Sequence, residues 1–155
     1  MKTAIRETRD LDTLMQWRAE TIESVFGTPP SEELMLANLR YYARHLADGT
    51  HLAVVAEAEG TPCGCGAICL SEELPSPDNP SGRCAYIMNI YVREEYRGHG
   101  IGHAIVRALV DKARGLNCDK IYLETTDVAR SLYSSIGFHG LPDMMKYGEI
   151  HNKQP

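Results

Sequence analysis

Tyr91-Val92-Arg93-Glu94-Glu95-Tyr96-Arg97-Gly98-His99-Gly100-Ile101-Gly102 is the stretch on which the fold turns. Before it, Cys84 to Val92 is the most strand-like run of the chain. After it, Ile101, Ala104, Ile105, Ala108, Leu109 and Ala113 recur at helical spacing, and Gly115 is placed to end that helix. The glycine-bearing segment therefore carries the chain from a strand into a helix. At such a junction the amides of the first helical turn lack intrahelical acceptors and carry about half a positive charge. Glycine lets an anion come close to them, so a diphosphate can dock there without lysines. Spacing separates this segment from two other nucleotide motifs. The dinucleotide fingerprint calls for glycine or alanine at 103, where the chain has His103, and no Gly-Lys-Ser/Thr is present, which excludes a Walker loop.

Working outward, Lys120 to Thr125 reads as a further strand, spaced to pair in parallel with Cys84–Val92 through a right-handed crossover. Val128 to Ile136 reads as a short helix capped by Gly137, and Phe138 to Tyr147 as one or two closing strands. Toward the N-terminus, Thr3 to Glu7 is β-prone. Asp10 caps a helix carrying Leu11, Leu14, Met15, Ile22, Val25 and Phe26, ended by Gly27 to Pro30. Ser31 caps a second helix with Leu34, Met35, Leu39 and Leu46 on its apolar stripe and Gly49 past its end. His51 to Ala58 and Cys63 to Leu70 form an antiparallel hairpin. Leu74 to Gly82, with Pro75, Pro77 and Pro80, is a connector that lies before the key strand and could equally border a pocket. The order β-α-α-β-β-β-α-β-α-β(-β) predicts one α/β (α+β) domain over residues 1–155.

Composition narrows the partners. The chain has 155 residues, 43% of them hydrophobic, enough for one ordinary core. Sixteen basic against twenty-one acidic residues give a net charge of −5, and no run of Lys or Arg forms the stripe that grips a nucleic acid backbone. Met1 to Asp10 lacks the apolar centre of a signal peptide, and no stretch reaches the ~18 apolar residues of a membrane span, so a cytoplasmic protein is expected. The five cysteines are odd in number, and Cys63, Cys65 and Cys69 alternate as strand residues do. They read as reduced core thiols, with no metal expected.

Arg97-x-x-Gly100-x-Gly102 resembles the Arg/Gln-x-x-Gly-x-Gly/Ala signature of the GNAT superfamily of acetyl-CoA-dependent N-acetyltransferases. Ala129-Arg130-Ser131-Leu132-Tyr133-Ser134-Ser135-Ile136-Gly137-Phe138 is similar to that superfamily's Ala-x-x-Leu-Tyr-x-x-x-Gly-Phe block. The element order resembles the GNAT order along nearly the whole chain. What the resemblance implies is a mixed central sheet of about six to seven strands flanked by four helices, with two parallel strands splayed to receive acyl-CoA. It implies acetyl-CoA as cosubstrate and an amine, small molecule or peptide, as acceptor. Relatives of this kind commonly pair as homodimers.

Carried over position by position, the backbone of Ile90, Tyr91 and Val92 would meet the pantetheine arm like an added strand. Arg97, Gly98, His99, Gly100, Ile101 and Gly102 would wrap the pyrophosphate, with Arg93 and Arg130 placed to add charge. Tyr133 would protonate the departing thiolate as general acid. The pattern is broken at the base, because well-studied relatives carry a glutamate eleven residues before the motif's first residue, where this chain has Tyr86. Tyr86, Asn89 and Glu124 are the candidates to hold a water that takes the amine proton. Thr126 replaces an asparagine that contacts the cofactor in many relatives. Acceptor specificity in the family arises from the first two helices and the loop before the motif strand, here bearing Trp17, Glu20, Glu23, Tyr41, Tyr42 and Asp78, a set too generic to choose a substrate. The missing glutamate also leaves a second class open, a catalytically silent acyl-CoA-binding module acting as a sensor or partner subunit.

Overall fold

The computed structural model describes residues 1–149. Strand β1 (Thr3–Thr8) is followed by helices α1 (Leu11–Phe26) and α2 (Glu32–Ala47), then by strands β2 (His51–Ala58), β3 (Thr61–Glu72) and β4 (Arg83–Val92). A 3-10 turn over Glu94–Tyr96 leads to α3 (Ile101–Gly115), then come β5 (Lys120–Leu123) and α4 (Arg130–Ile136). Both first helices start where their caps predict. The Asp10 carboxylate accepts from the Thr13 amide at 3.0 Å and Ser31 Oγ from the Leu34 amide at 3.1 Å. Gly27 closes α1 at φ 79°, in the left-handed region that favours glycine.

The strands form one five-stranded sheet in the order β1-β2-β3-β4-β5, antiparallel through β4 and parallel between β4 and β5. The parallel pair is joined by α3, as its crossover spacing predicts. Alternation along the strands sorts side chains to two faces. Val54, Ala56, Ile68, Ala85 and Ile87 pack against Ile101, Ile105, Val106 and Leu109 of α3. Ala53, Val55, Cys65 and Ala67 face Leu14 and Trp17 of α1 and Tyr42 of α2. Cys63, Cys65, Cys84 and Cys118 are buried thiols of these layers and Cys69 is half-buried.

The sheet stops short of the expected six to seven strands. Residues 138–147 form no strand, and β5 ends at Leu123 rather than Thr125. Pro142 has no amide to donate to a ladder, and Leu141, Met144, Met145 and Tyr147 stay exposed, so their apolar pattern finds no sheet face to bury against.

One irregularity in β4 shapes everything at its C-terminal end. Cys65 pairs with Tyr91 and Ala67 with Met88, which leaves Gly66 opposite both Asn89 and Ile90. This is a β-bulge, and Asn89 sits in it at φ 59°. Pairing of β4 with β5 ends at Ile87↔Leu123, immediately before the bulge. The two parallel strands therefore part there, and the outer edge of β4 from Met88 to Val92 has no neighbouring strand among the described residues. Gly66 allows the close packing beneath. A Cβ built on it would lie 2.6 Å from Ile105 Cγ2 and 2.7 Å from Ile90 Cδ1. Gly66→Ala is expected to destabilise the fold by about 2 kcal/mol, through overpacking between β4 and α3. A urea midpoint equal to that of the parent would show that α3 yields without cost.

Candidate active site

The parting of β4 and β5 opens a cleft of about 900 Å³ that runs from the α1/α2 face of the sheet to the start of α3. At the α3 end, Gly98 and Gly100 have φ of 79° and 77°, and a Cβ on either would meet nothing within 4 Å. The first amide of this region with a backbone partner is Ala104, which donates to Gly100 O at 3.0 Å. Among the described residues, the amides of Gly98, His99, Gly100, Ile101, Gly102 and His103 donate to none. Positive φ at two glycines turns this run of N–H groups around one concave seat, and the dipole of α3 adds to it. Gly102 has a different task. A Cβ there would make ordinary contact with Leu132 of α4 at 3.4 Å, so Gly102 lies where α3 meets α4.

The arginines of the motif segment divide. Arg97 lines the cleft and its Nε donates to Val92 O at 2.9 Å, which fixes the end of β4 to the glycine loop. Arg93 is committed elsewhere. It donates to both Glu20 carboxylate oxygens at 3.1 and 2.6 Å and to Pro62 O at 3.1 Å, and lies 4.5 Å over the Trp17 ring. Arg130 also lies outside the cleft lining, 3.7 Å from the Asp127 carboxylate. His99 reaches the seat with its backbone but its side chain does not line the cleft. The Thr126 hydroxyl accepts from the Ala129 amide at 3.3 Å and so supports the start of α4.

Tyr133 is brought in by the first turn and a half of α4, which packs on α3. Its ring is 8% exposed and meets Phe138 edge-on at 6.0 Å. Its hydroxyl has no hydrogen bond to another described residue, and Tyr133 is part of the cleft lining. Burial pushes the phenol up from its ordinary value, so at neutral pH it is a proton donor.

On the other side of the parting, the register places His51, Cys69, Tyr86 and Tyr122 in one row across β2 to β5, all on the α1/α2 face. Tyr86 and Tyr122 stack with ring centroids 5.0 Å apart. Beyond Tyr122, alternation returns Glu124 to the same face, beside the Tyr86 hydroxyl. Burial, and then the Glu124 carboxylate, push the Tyr86 phenol up to about 12. The Tyr86 phenol, protonated at neutral pH, is thus a hydrogen-bond donor to Glu124. Asn89 is drawn away from this pair. The bulge turns its side chain toward α1, where its Oδ1 accepts from Arg18 Nη1 at 2.9 Å and its Nδ2 lies 3.8 Å from Cys65 Sγ.

Several lining residues carry no sequence motif. Arg18, Asn38, His51 and Met88 all face the cleft. Burial pushes the His51 imidazole down to about 4, so it is neutral at pH 7, and Tyr41 Oη is 2.8 Å from its Nδ1. Of the helix residues expected to choose the acceptor, Tyr41 and Tyr42 line the cleft, whereas Trp17 and Glu20 are used in packing and pairing with Arg93. Glu23 and Asp78 do not line it.

No helix among the described residues is long and apolar enough to cross a membrane. No cluster of His, Cys, Asp or Glu suited to a metal ion is found among them.

Comparison with known proteins agrees with this architecture. The chain is similar to N-alpha-acetyltransferase 30 of Saccharomyces cerevisiae, 29% identical over 145 residues that cover 90% of this chain and 79% of that protein. It is similar to glucosamine 6-phosphate N-acetyltransferase 1 of Oryza sativa subsp. japonica, 32% identical over 71% of this chain and 65% of that one. A crystal structure of a predicted acetyltransferase from Clostridium acetobutylicum with acetyl-CoA superposes with a TM-score of 0.84 at 25% identity, covering 95% of this chain and 96% of that one. The sequence model of the acetyltransferase (GNAT) family matches residues 11–138, and with the glycine seat, the parted parallel strands and the α4 tyrosine in place, the chain belongs to that family.

Proposed function

We propose that this protein transfers the acetyl group of acetyl-CoA to an amine by direct attack, with both substrates held in the cleft at once. The observation that carries the reading is the run of unpartnered amides from Gly98 to His103 at the mouth of α3. A diphosphate accepts several hydrogen bonds there and meets the helix dipole, without any lysine. The open edge of β4 from Met88 to Val92 suits an amide-bearing pantetheine arm, which pairs with it as a strand does. When bound, acetyl-CoA supplies the activated thioester. An N–H from the Ile90 to Val92 stretch is the donor for the oxygen that gains charge as the amine adds.

Aminolysis forms a C–N bond, breaks the C–S bond, and moves one proton off nitrogen and one onto sulfur. A lysine-like ammonium of pKa ~10.4 costs about 4.6 kcal/mol to deprotonate at pH 7, against about 1.4 for an α-amine near ~8. Glu124, held by the Tyr86 hydroxyl, takes that proton, directly or through one water. It stands across the parted strands from the usual glutamate position, where Tyr86 sits. This local carboxylate weighs against a silent module. Tyr133 gives the proton to sulfur.

Two measurements test the reading. Free thiol should appear faster from acetyl-CoA when amines are added; binding without turnover across a broad amine panel would reduce the protein to a cofactor-binding module. Glu124→Gln should lower kcat/KM by about 100-fold at pH 7. The deficit should shrink as pH approaches the amine's own pKa, because each pH unit raises the neutral amine tenfold and relieves the need for a base. A deficit independent of pH would assign Glu124 to binding instead.

A further inference from the structure

Resting on the acetyl-transfer reading above, we propose that Arg18 is an oxyanion-recognition site for the acceptor, whose amine therefore belongs to a molecule that also carries a carboxylate or phosphate. Arg18 lies on the cleft-facing side of α1, at the end of the cleft opposite the glycine seat. Its Nε donates to Asn38 Oδ1 at 2.9 Å and its Nη1 to Asn89 Oδ1 at 2.9 Å. Two neutral amide oxygens thus aim the guanidinium, one from α2 and one from the β4 bulge that opens the cleft. Asn38 is itself aimed, its Nδ2 donating to Leu34 O at 2.9 Å.

Nη2, and the second hydrogen of Nη1, have no partner among the described residues. None of the ion pairs among the described residues includes Arg18. The other groups around it are the phenols of Tyr41, Tyr42 and Tyr86 and the Cys65 thiol, all neutral at pH 7, and burial lowers the guanidinium's own proton affinity. A guanidinium does not shed its proton to escape such a site. A charge taken from water and left without a counter-ion is costly, and two neutral acceptors offset it in part. If Arg18 served to link α1 to α2 and β4 alone, a neutral donor would do so at lower cost. A fork with one end pinned and the other open to a cleft matches the two oxygens of an oxyanion. Glu124 is the carboxylate of the lining, and Tyr86 interacts with both it and Arg18. An acceptor with an ammonium and an oxyanion fits this polarity end to end.

The experiment uses matched amines in the thiol-release assay: amino acids against their carboxamides, and O-phosphoethanolamine against ethanolamine. The two acidic arms separate a carboxylate from a phosphate. The parent should favour the acid of at least one pair by roughly 10- to 100-fold in kcat/KM, the value of a charge-assisted pair. Arg18→Gln, which keeps an amide donor but no charge, should reduce the preference to within about threefold. Arg18→Lys should retain part of it. Unchanged acetyl-CoA affinity in both variants certifies the fold. Equal use of acid and neutral amines by the parent, or an undiminished preference in Arg18→Gln, overturns the inference. Titration of the same acids into protein loaded with coenzyme A reads the subsite without turnover. Binding that Arg18→Gln abolishes, in a protein that acetylates nothing, keeps this inference and overturns the transfer reading. Absence of acid binding overturns the inference whatever the turnover.

Discussion

Gly100→Val is expected to weaken acetyl-CoA binding by at least about 100-fold while the chain remains folded. Two effects must be separated. The first is internal: Gly100 has φ 77°, and a β-branched residue forced into the left-handed region costs about 1–2 kcal/mol. That is a fraction of the 5–15 kcal/mol typical of a domain, and the new Cβ meets nothing within 4 Å, so no clash adds to it. The second is the seat itself. The isopropyl group would stand in the space between the free amides of Gly98 to His103, and losing two charge-assisted hydrogen bonds there costs about 3–6 kcal/mol. Gly49 supplies the control. It has the same φ of 77° with nothing within 4 Å of a Cβ, and it follows α2, outside the cleft lining. Gly49→Val should lower the thermal midpoint as much as Gly100→Val does and leave affinity unchanged. Calorimetry in which both variants bind like the parent would remove the diphosphate seat from this structure.

How far such a seat is visible in sequence depends on how local its causes are. The caps at Asp10 and Ser31, the helix-ending Gly27 and the strand-to-helix glycines act within a few residues, and each falls where the pattern puts it. The parting of β4 from β5 has a non-local cause. It follows from Gly66 on β3 facing two residues of β4, and nothing in the run Tyr86 to Val92 marks Asn89 as the bulged one. Phe138 to Tyr147 fails for the opposite reason. Phe138 and Tyr147 are β-prone, but Gly140, Pro142 and Asp143 between them are not, and β propensity describes a fit to a neighbouring surface that Met145 and Tyr147 do not find.

The same division runs through the site. Gly98 to Gly102 and Tyr133 are legible because backbone conformation and one motif position set them. Arg93 and Arg130 show what sequence withholds, since a charge near a motif reveals nothing of its protein partner, here Glu20 and Asp127. Arg18 carries a signal that composition hides. It lies four residues after Leu14 and four before Ile22, both buried, so an arginine interrupts the apolar stripe of α1. A charge on a buried face calls for a partner in the fold or in a ligand.

Tyr133→Phe is expected to slow acetyl transfer by about 100-fold and leave acetyl-CoA affinity within about twofold. The hydroxyl has no hydrogen-bond partner among the described residues, so its removal strands no donor or acceptor there and the edge-on contact with Phe138 persists. Stability should therefore be nearly unchanged, which makes the variant a clean test of chemistry. A thiol near ~8.5 and a phenol near ~10 differ by about 2 kcal/mol, and burial raises Tyr133 further, so full transfer to sulfur is uphill. What the phenol provides is a hydrogen bond that strengthens as charge builds on sulfur, and this places its effect below the upper limit of general acid catalysis. The sign of the pH dependence follows. A phenol raised above ~10 stays protonated through neutral pH, so the parent loses no acid catalysis until pH passes that raised value. The deficit of Tyr133→Phe should accordingly stay constant between about pH 6 and 9, in contrast to Glu124→Gln, whose deficit shrinks as the amine neutralises itself. Turnover by Tyr133→Phe equal to that of the parent at every pH would mean that sulfur departs unaided, and the role of the α4 tyrosine would reduce to packing.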